Sequence, residues 1–148
     1  MRSLDTQIII NAPCHIIWHH LTDFSSFSEW NEFIPHIQGQ LLSGARLSVK
    51  ICPPGGKPMN FKPTITLYEN GRILQWLGHL GIRGLFDGQH TFMCESTGAE
   101  SSSFIHKENF TGILVPLVWK SIHAKTLKGF ELMNQQLKAR AENHAWGK

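Results

Sequence analysis

The sequence predicts an α+β fold in which a curved antiparallel sheet wraps around one long C-terminal helix, with two short helices after the first strand. The first observation is an apolar stripe in residues 116–143, where apolar side chains recur at spacings of three and four, as on one helix face. The second is that most of the preceding chain alternates apolar and polar residues, as half-buried strands do. A single long helix with one apolar face needs a sheet to pack against, so we look for function in the space between them.

The C-terminal helix is the best-defined element of the sequence. Pro116 suits a first helical turn, where its missing N–H has no intrahelical partner to lose. We expect the helix to face the sheet with Trp119, Phe130 and Met133. The apolar face as a whole comprises Trp119, Ile122, Thr126, Phe130, Met133, Leu137 and Ala141.

The elements before this helix follow from local signals. Residues 4–11 form a first strand, Pro13 fits the first turn of a short helix, and residues 24–31 form a second short helix or turn. Each of the next three strand pairs is joined by a short turn that contains glycine, which makes the pairs antiparallel. These pairs are residues 36–42 with 45–52, residues 59–69 with 72–80, and residues 89–96 with 101–110.

Length and composition predict one globular domain, residues 1–148. Apolar residues make up 41% of the chain and charged residues 17%, which is typical of a folded domain with a core. No run of about 18 apolar residues is present, so we expect no transmembrane segment. The N-terminus has no separate signal-peptide core, and three widely spaced cysteines argue against a disulfide framework. These features favour a cytoplasmic location.

The net charge of +3 is too small to indicate a polyanionic partner. Six of the basic residues lie on or just after the C-terminal helix, where an exposed helix face accounts for them. No nucleic-acid-binding motif is present, so we expect no nucleic-acid partner.

Glycine occurs at two places that need a reason. Residues 78–88 contain four glycines together with Leu80, Ile82 and Phe86, and they match neither a dinucleotide-binding fingerprint nor a phosphate loop. This loop either lines the mouth of a cavity or packs on a neighbouring element. Gly129 lies within the long helix, where glycine costs about 0.8–1.0 kcal/mol relative to alanine. It predicts a close approach of another element or space left for a ligand.

One polar cluster stands out on the last two strands. Because side chains alternate along a strand, His106 and Glu108 share a face with Phe104 and Phe110, and His90 lies opposite on the preceding strand. Three interpretations stay open at this point. The cluster is a self-satisfied structural network, an acid–base or ligand-orienting set, or a metal site of two histidines and one carboxylate. Strand geometry permits the metal, but the spacing does not demand it.

Several stretches together resemble the START-like superfamily, also called SRPBCC, which includes the polyketide cyclase/dehydrase family and lipid-transfer domains. The resemblance covers nearly the whole chain and rests on the element order and on short motifs. They are Ala12-Pro13 with Trp18 and Leu21-Thr22-Asp23-Phe24, Trp30-Asn31, Trp76 and Gly78, Gly84-Leu85-Phe86-Asp87-Gly88 with His90, His106, Glu108, Phe110, Gly112, Leu114-Val115-Pro116, and Gly129-Phe130 with Asn134 and Leu137-Lys138.

The resemblance implies a helix-grip fold with a deep cavity between the sheet and the C-terminal helix. Members hold lipids, polyketides, hormones or other apolar molecules there, and some catalyse cyclisation or dehydration. No active-site signature of the catalytic members is matched in this sequence, so the sequence leaves open whether the chain is an enzyme.

We therefore expect a binding protein for a hydrophobic or amphipathic small molecule. The first alternative is a cyclase- or dehydratase-type enzyme with Glu108 and His106 as an acid–base pair and His90 as a further catalytic candidate. The second alternative is a protein-interaction module. We expect no cofactor, no required metal, and a monomer or homodimer. The predicted ligand-binding residues are Trp76, His90, Phe92, Phe104, His106, Glu108, Trp119, His123 and Phe130.

Overall fold

The computed structural model, which describes residues 1–147, confirms the predicted fold class of an antiparallel curved sheet and a long C-terminal helix. Its elements follow in the order β1 (Arg2–Ile10), α1 (Cys14–Thr22), a 3₁₀ turn (Phe24–Ser26), α2 (Phe27–Trp30), β2 (His36–Gln38), β3 (Ser48–Ile51), β4 (Met59–Phe61), β5 (Thr64–Glu69), β6 (Ile73–His79), β7 (Asp87–Gly98), β8 (Ser101–Thr111) and α3 (Val115–Gly147). Within residues 1–147, no helix is both long enough and apolar enough to cross a membrane.

The strands form two antiparallel sheets. The larger sheet has the order β1-β8-β7-β6-β5, so the first and last strands of the chain are neighbours. The smaller sheet has the order β2-β3-β4, and a single bridge between Arg46 and Thr64 connects it to the larger one. The larger sheet packs on α3 through β1 and β8, and residues of both sheets surround a cavity beside the first half of that helix.

The predicted strand 59–69 is divided in the structure. Its first part, β4, pairs with β3 in the smaller sheet, and its second part, β5, pairs with β6 as predicted. Pro63 lies at the division, and proline has no N–H to donate to a strand partner. The carbonyl of Pro63 instead accepts a hydrogen bond from the amide of Leu47 at 2.8 Å. The sequence prediction thus missed one change of sheet.

Helix α3 has two halves with different environments. In the second half Phe130, Met133 and Leu137 are completely buried. In the first half Trp119 and Ile122 remain partly exposed, although they lie on the same predicted face. The core is therefore filled beneath the second half of the helix, while the first half borders a cavity.

Gly129 is explained by the close approach of Phe33. A Cβ atom at position 129 would overlap the Phe33 ring, with Cγ of that ring only 3.1 Å away. Phe33 also packs edge-on against Phe130, with ring centroids 5.7 Å apart. Of the two reasons predicted for this glycine, the structure confirms the close approach of another element.

A group of histidines lies where α1 meets the end of α3. His20 is buried, and its ring centroid lies 5.0 Å from that of His19 and 4.8 Å from that of His144. Burial and the neighbouring charges of His144, His19 and Arg140 lower the pKa of His20 from 6.5 to about 4. The imidazole is therefore neutral in the folded protein at neutral pH.

We expect the free energy of unfolding to fall as the pH is lowered from about 6.5 to about 4. The unfolded chain binds a proton at His20 in this range while the folded chain does not, so stability present above pH 6.5 is lost. The contribution of this group is about 1–3 kcal/mol. Urea unfolding measures the free energy of unfolding across this pH range. Its decrease toward acid pH should be smaller in His20→Gln than in the wild type, whereas His15→Gln, an exposed change on the same helix, should leave the decrease unchanged. Equal decreases in both variants would contradict the prediction.

Candidate functional site

A cavity of about 340 Å³ lies between the first half of α3 and the two sheets. The larger sheet contributes Trp76, Glu108 and Phe110 to its wall, and α3 contributes Val118 and Ile122. The smaller sheet and its loops close the third side with Val49, Ile51, Pro53, Gly56, Lys57, Met59, Phe61 and Pro63. The wall is mostly apolar, with a few polar groups, which is the usual character of a small-molecule site.

The glycine-rich loop after β6 forms part of the cavity wall. Leu80 and Phe86 of this loop line the cavity, which agrees with the first of the two roles considered for it. Asp87 holds the two ends of this loop together, because its carboxylate accepts hydrogen bonds from the Gly84 amide at 3.1 Å and from His79 at 2.8 Å. Burial alone would raise the pKa of Asp87, but these hydrogen bonds lower it below its ordinary value, which favours the carboxylate.

Glu108 is the carboxyl group in the cavity wall. It lies on β8 directly opposite His90 of β7, and its side chain is 14% exposed. The carboxyl group lies against Gly88, where a Cβ atom would overlap it. Glycine at position 88 therefore gives Glu108 the room to reach the cavity across the neighbouring strand.

A chain of polar side chains leads from Glu108 into the core. Oε1 of Glu108 lies 3.4 Å from Nδ1 of His90, and Nε2 of His90 lies 2.7 Å from Nε2 of His106. Nδ1 of His106 lies 2.9 Å from Oδ1 of Asn134 on α3. The amide of Asn134 then donates to the Thr6 hydroxyl on β1 at 2.8 Å, and that hydroxyl donates to the His106 carbonyl at 2.7 Å.

The two imidazoles lie in an aromatic and fully buried environment. His106 stacks on Phe130 with ring centroids 4.0 Å apart, and Phe92 lies 4.7 Å away. Burial, followed by the nearby His90, lowers the pKa of His106 well below 6.5, and the hydrogen bond with Asn134 opposes this only in part. His106 is therefore neutral in the folded protein.

The nine predicted ligand-binding residues fall into three groups. Trp76 and Glu108 line the cavity. Trp119 and His123 are partly exposed on α3, stack on each other with centroids 5.6 Å apart, and are not part of the cavity wall. The remaining residues are completely or almost completely buried behind the wall, and they are His90, Phe92, Phe104, His106 and Phe130.

Sequence reasoning did not include the cavity residues of the smaller sheet among the ligand-binding residues. On α3 it placed Ile122 on the apolar face but chose Trp119 for the site, whereas Val118 and Ile122 border the cavity. Lys57 and Lys125 add two cations to the wall. The apolar residues of the glycine-rich loop were a sequence signal that pointed to the mouth of this cavity.

The described part of the chain contains no group of three or more His, Cys, Asp or Glu side chains arranged to hold a metal ion. In the cluster considered from the sequence, the Nε2 atoms of His90 and His106 face each other in a hydrogen bond. Cys14 and Cys94, distant in sequence, lie together as free thiols with their sulfurs 2.7 Å apart.

Comparison with known proteins gives a family and a set of similar structures. The family model described as polyketide cyclase/dehydrase and lipid transport matches residues 1–142. No curated protein gives a significant sequence match.

Solved structures with the same fold include proteins of different kinds. The Zhui aromatase/cyclase from Streptomyces sp. R1128 is 11% identical, with a TM-score of 0.78 over 97% of this chain and 95% of its own. A START superfamily protein from Mycobacterium smegmatis is 17% identical, with a TM-score of 0.71 over 96% of this chain and 98% of its own. A norcoclaurine synthase from Thalictrum flavum is 15% identical, with a TM-score of 0.73 over 97% of this chain and 96% of its own. At identities of 11–17%, the TM-scores of 0.71–0.78 establish a common fold.

Proposed function

The chain belongs to the polyketide cyclase/dehydrase and lipid transport family, and we propose that it binds a hydrophobic or amphipathic small molecule in the cavity between α3 and the sheets. The observation that carries this proposal is a cavity of about 340 Å³ whose wall is largely apolar and contains the carboxyl group of Glu108. Burial of an apolar ligand against Trp76, Phe110 and Ile122 supplies the driving force. The carboxyl group gives the ligand an orientation.

We expect a bulky side chain in the cavity to weaken binding strongly. Ile122→Trp adds an indole to the α3 wall, whereas Leu117→Trp, at a position 78% exposed on the same helix, leaves the cavity open. Native mass spectrometry of freshly purified protein should find a co-purified molecule with the wild type and Leu117→Trp. Titration with naphthalene, followed by its fluorescence, should give saturable binding to the same two proteins, and Ile122→Trp should bind at least about tenfold more weakly.

Naphthalene binding that is absent in the wild type, or equal in all three proteins, would contradict the proposal. Circular dichroism and thermal unfolding serve as the control for folding of the two tryptophan variants, and a loss of binding in a folded Ile122→Trp alone reports on the cavity.

A second candidate function is acid–base catalysis, and the contact between Glu108 and His90 favours it. A carboxyl group that borders a cavity and is backed by an imidazole is suited to take a proton from a carbon next to a carbonyl. The partner next to Glu108 is His90, since His106 lies one imidazole further from the cavity. Deuterium uptake by 2-tetralone in D₂O, faster with the wild type than with Glu108→Gln, would support this function, and equal uptake would contradict it.

A further inference from the structure

We propose that Thr6 and Asn134 fix the tautomers of His106 and His90, so that one mobile proton is shared by His90 and Glu108 at the cavity wall, and that this pair recognises an uncharged hydroxyl group of the ligand. The inference rests on the proposed binding function and adds the chemistry of the ligand's polar end. It assigns Asn134 and Thr6 as positioning residues that do not touch the ligand.

The orientation of the Asn134 amide follows from Thr6. The Thr6 hydroxyl has one hydrogen, and it donates this hydrogen to the carbonyl oxygen of His106 at 2.7 Å. The same hydroxyl oxygen can therefore only accept from Asn134, and it does so from Nδ2 at 2.8 Å. The carbonyl oxygen Oδ1 of Asn134 must then point toward His106.

The tautomers of the two histidines follow from this orientation. Because Oδ1 of Asn134 is an acceptor, Nδ1 of His106 carries the hydrogen of the 2.9 Å hydrogen bond. A neutral imidazole has one N–H, so Nε2 of His106 is an acceptor. Nε2 of His90, at 2.7 Å, must be the donor in the next hydrogen bond.

The last step concerns the contact between His90 and Glu108. With its hydrogen on Nε2, a neutral His90 has a bare Nδ1, which faces Oε1 of Glu108 at 3.4 Å. This nitrogen has no hydrogen-bond partner among the described residues, although His90 is completely buried. Two acceptors do not attract each other, and a buried acceptor without a donor is costly, so we place one proton between these two atoms. It is held either by Glu108, as a carboxylic acid, or by His90, as an imidazolium paired with a carboxylate.

This shared proton determines what the cavity wall recognises. A ligand hydroxyl that donates to a Glu108 oxygen favours the carboxylate, and the proton then moves from Glu108 to Nδ1 of His90. The hydrogen bond to the ligand becomes charge-assisted, while the pair as a whole remains neutral. A carboxylate ligand has no hydrogen to donate to Glu108. A hydrocarbon ligand leaves the Glu108 carboxyl group without a hydrogen-bond partner in the cavity. The chemistry therefore favours a phenol, enol or alcohol at this end.

Among the described residues, the ion pair of Glu108 is with His90 and not with the other charged groups around the cavity. His79 on β6 is paired with Asp87 at 2.8 Å, and the two cations in the wall are Lys57, between β3 and β4, and Lys125 on α3. On the core side, the polar partners of His106 from β1 and α3 are the neutral Thr6 and Asn134, and Phe130 of α3 stacks on its ring. The proton positions in the two imidazoles are thus set by neutral partners.

Nuclear magnetic resonance of the ¹⁵N-labelled histidine side chains tests the proton positions. In the wild type we expect His106 to be protonated at Nδ1 and His90 at Nε2. In Asn134→Leu, Nδ1 of His106 loses its acceptor, so part of the His106 population should carry the hydrogen on Nε2 instead. Thr6→Val should cause the same change to a smaller extent. Thr6→Ser, which keeps the hydroxyl, should retain the wild-type pattern. A wild-type His106 protonated at Nε2 would overturn the inference, as would an unchanged pattern in Asn134→Leu.

Binding of three matched probes tests the recognition. They are 2-naphthol, which donates and accepts, 2-methoxynaphthalene, which only accepts, and naphthalene, which does neither. We expect the wild type to bind 2-naphthol about ten- to a hundredfold more tightly than naphthalene, with 2-methoxynaphthalene close to naphthalene. Glu108→Leu should reduce the ratio of the naphthol and naphthalene affinities to about one. If that variant does not fold, Glu108→Met is the replacement.

The outcomes separate this inference from the proposed function. If naphthalene and 2-naphthol bind equally well to the wild type, the cavity binds apolar molecules and the hydroxyl recognition is wrong. If neither binds, the binding function is wrong and the recognition with it, while the resonance experiment still decides the tautomers. A 2-naphthol preference that survives in Glu108→Leu would assign the hydroxyl to a different group.

Discussion

Replacing Gly129 by leucine should lower the free energy of unfolding by about 2 kcal/mol. Even a Cβ atom at this position overlaps the ring of Phe33, and a longer side chain cannot avoid the ring because both lie in the core. Overpacking in a core costs about 1–3 kcal/mol and occasionally more, which exceeds the roughly 1 kcal/mol that the helix gains when glycine is replaced. Chemical denaturation of the wild type and Gly129→Leu measures the difference.

A double-mutant cycle with Phe33 identifies the cause. Phe33→Ala alone should destabilise the protein by about 3–5 kcal/mol because it empties a core site. The double variant Gly129→Leu/Phe33→Ala should be more stable than the sum of the two single effects predicts, since leucine enters the space that the ring has left. Additive effects would contradict the explanation of this glycine.

Replacing Glu108 by glutamine should weaken binding of a hydroxyl-bearing ligand by about ten- to a hundredfold while the protein stays folded. Losing one charge-assisted hydrogen bond costs on the order of 1.5–3 kcal/mol. The glutamine amide still donates to Nδ1 of His90, so the buried imidazole keeps a partner and the stability changes little. Isothermal titration with 2-naphthol measures the affinity, and thermal unfolding measures the stability.

The matched control is Glu95→Gln, which removes a negative charge at an exposed position of β7 and should leave the affinity unchanged. A Glu108→Gln variant that loses thermal stability but binds 2-naphthol normally would show that Glu108 serves the fold and not the ligand. Equal losses of affinity in both variants would indicate a general effect of charge.

Periodicity was enough to predict the framework of the fold. The stripe around Phe130 and Met133 is a local feature, and so are the glycine turns between strands, so both can be read from neighbouring residues. The division at Pro63 could not be predicted as a change of sheet, because the choice of partner for β4 depends on β3 and not on the local sequence. A proline inside a predicted strand was nevertheless a signal of a break.

The site was harder to predict than the fold because it joins residues that are far apart in the chain. Alternation along β8 placed His106 and Glu108 on one face, and hairpin pairing brought His90 close to them. The sequence does not indicate which histidine lies next to Glu108, or that Asn134 and Thr6 complete the chain from 28 and 100 residues away from His106. The alternation also cannot distinguish a side chain in the cavity wall from one buried behind it.

The central claim is that a ligand occupies the cavity with its polar end at Glu108, and a crystal structure of the wild-type protein with 2-naphthol tests it most directly. We predict that the rings lie between Trp76 and Ile122 and that the hydroxyl oxygen is within hydrogen-bond distance of the Glu108 carboxyl group. The claim is contradicted if 2-naphthol binds outside this cavity, or inside it with the hydroxyl directed away from Glu108.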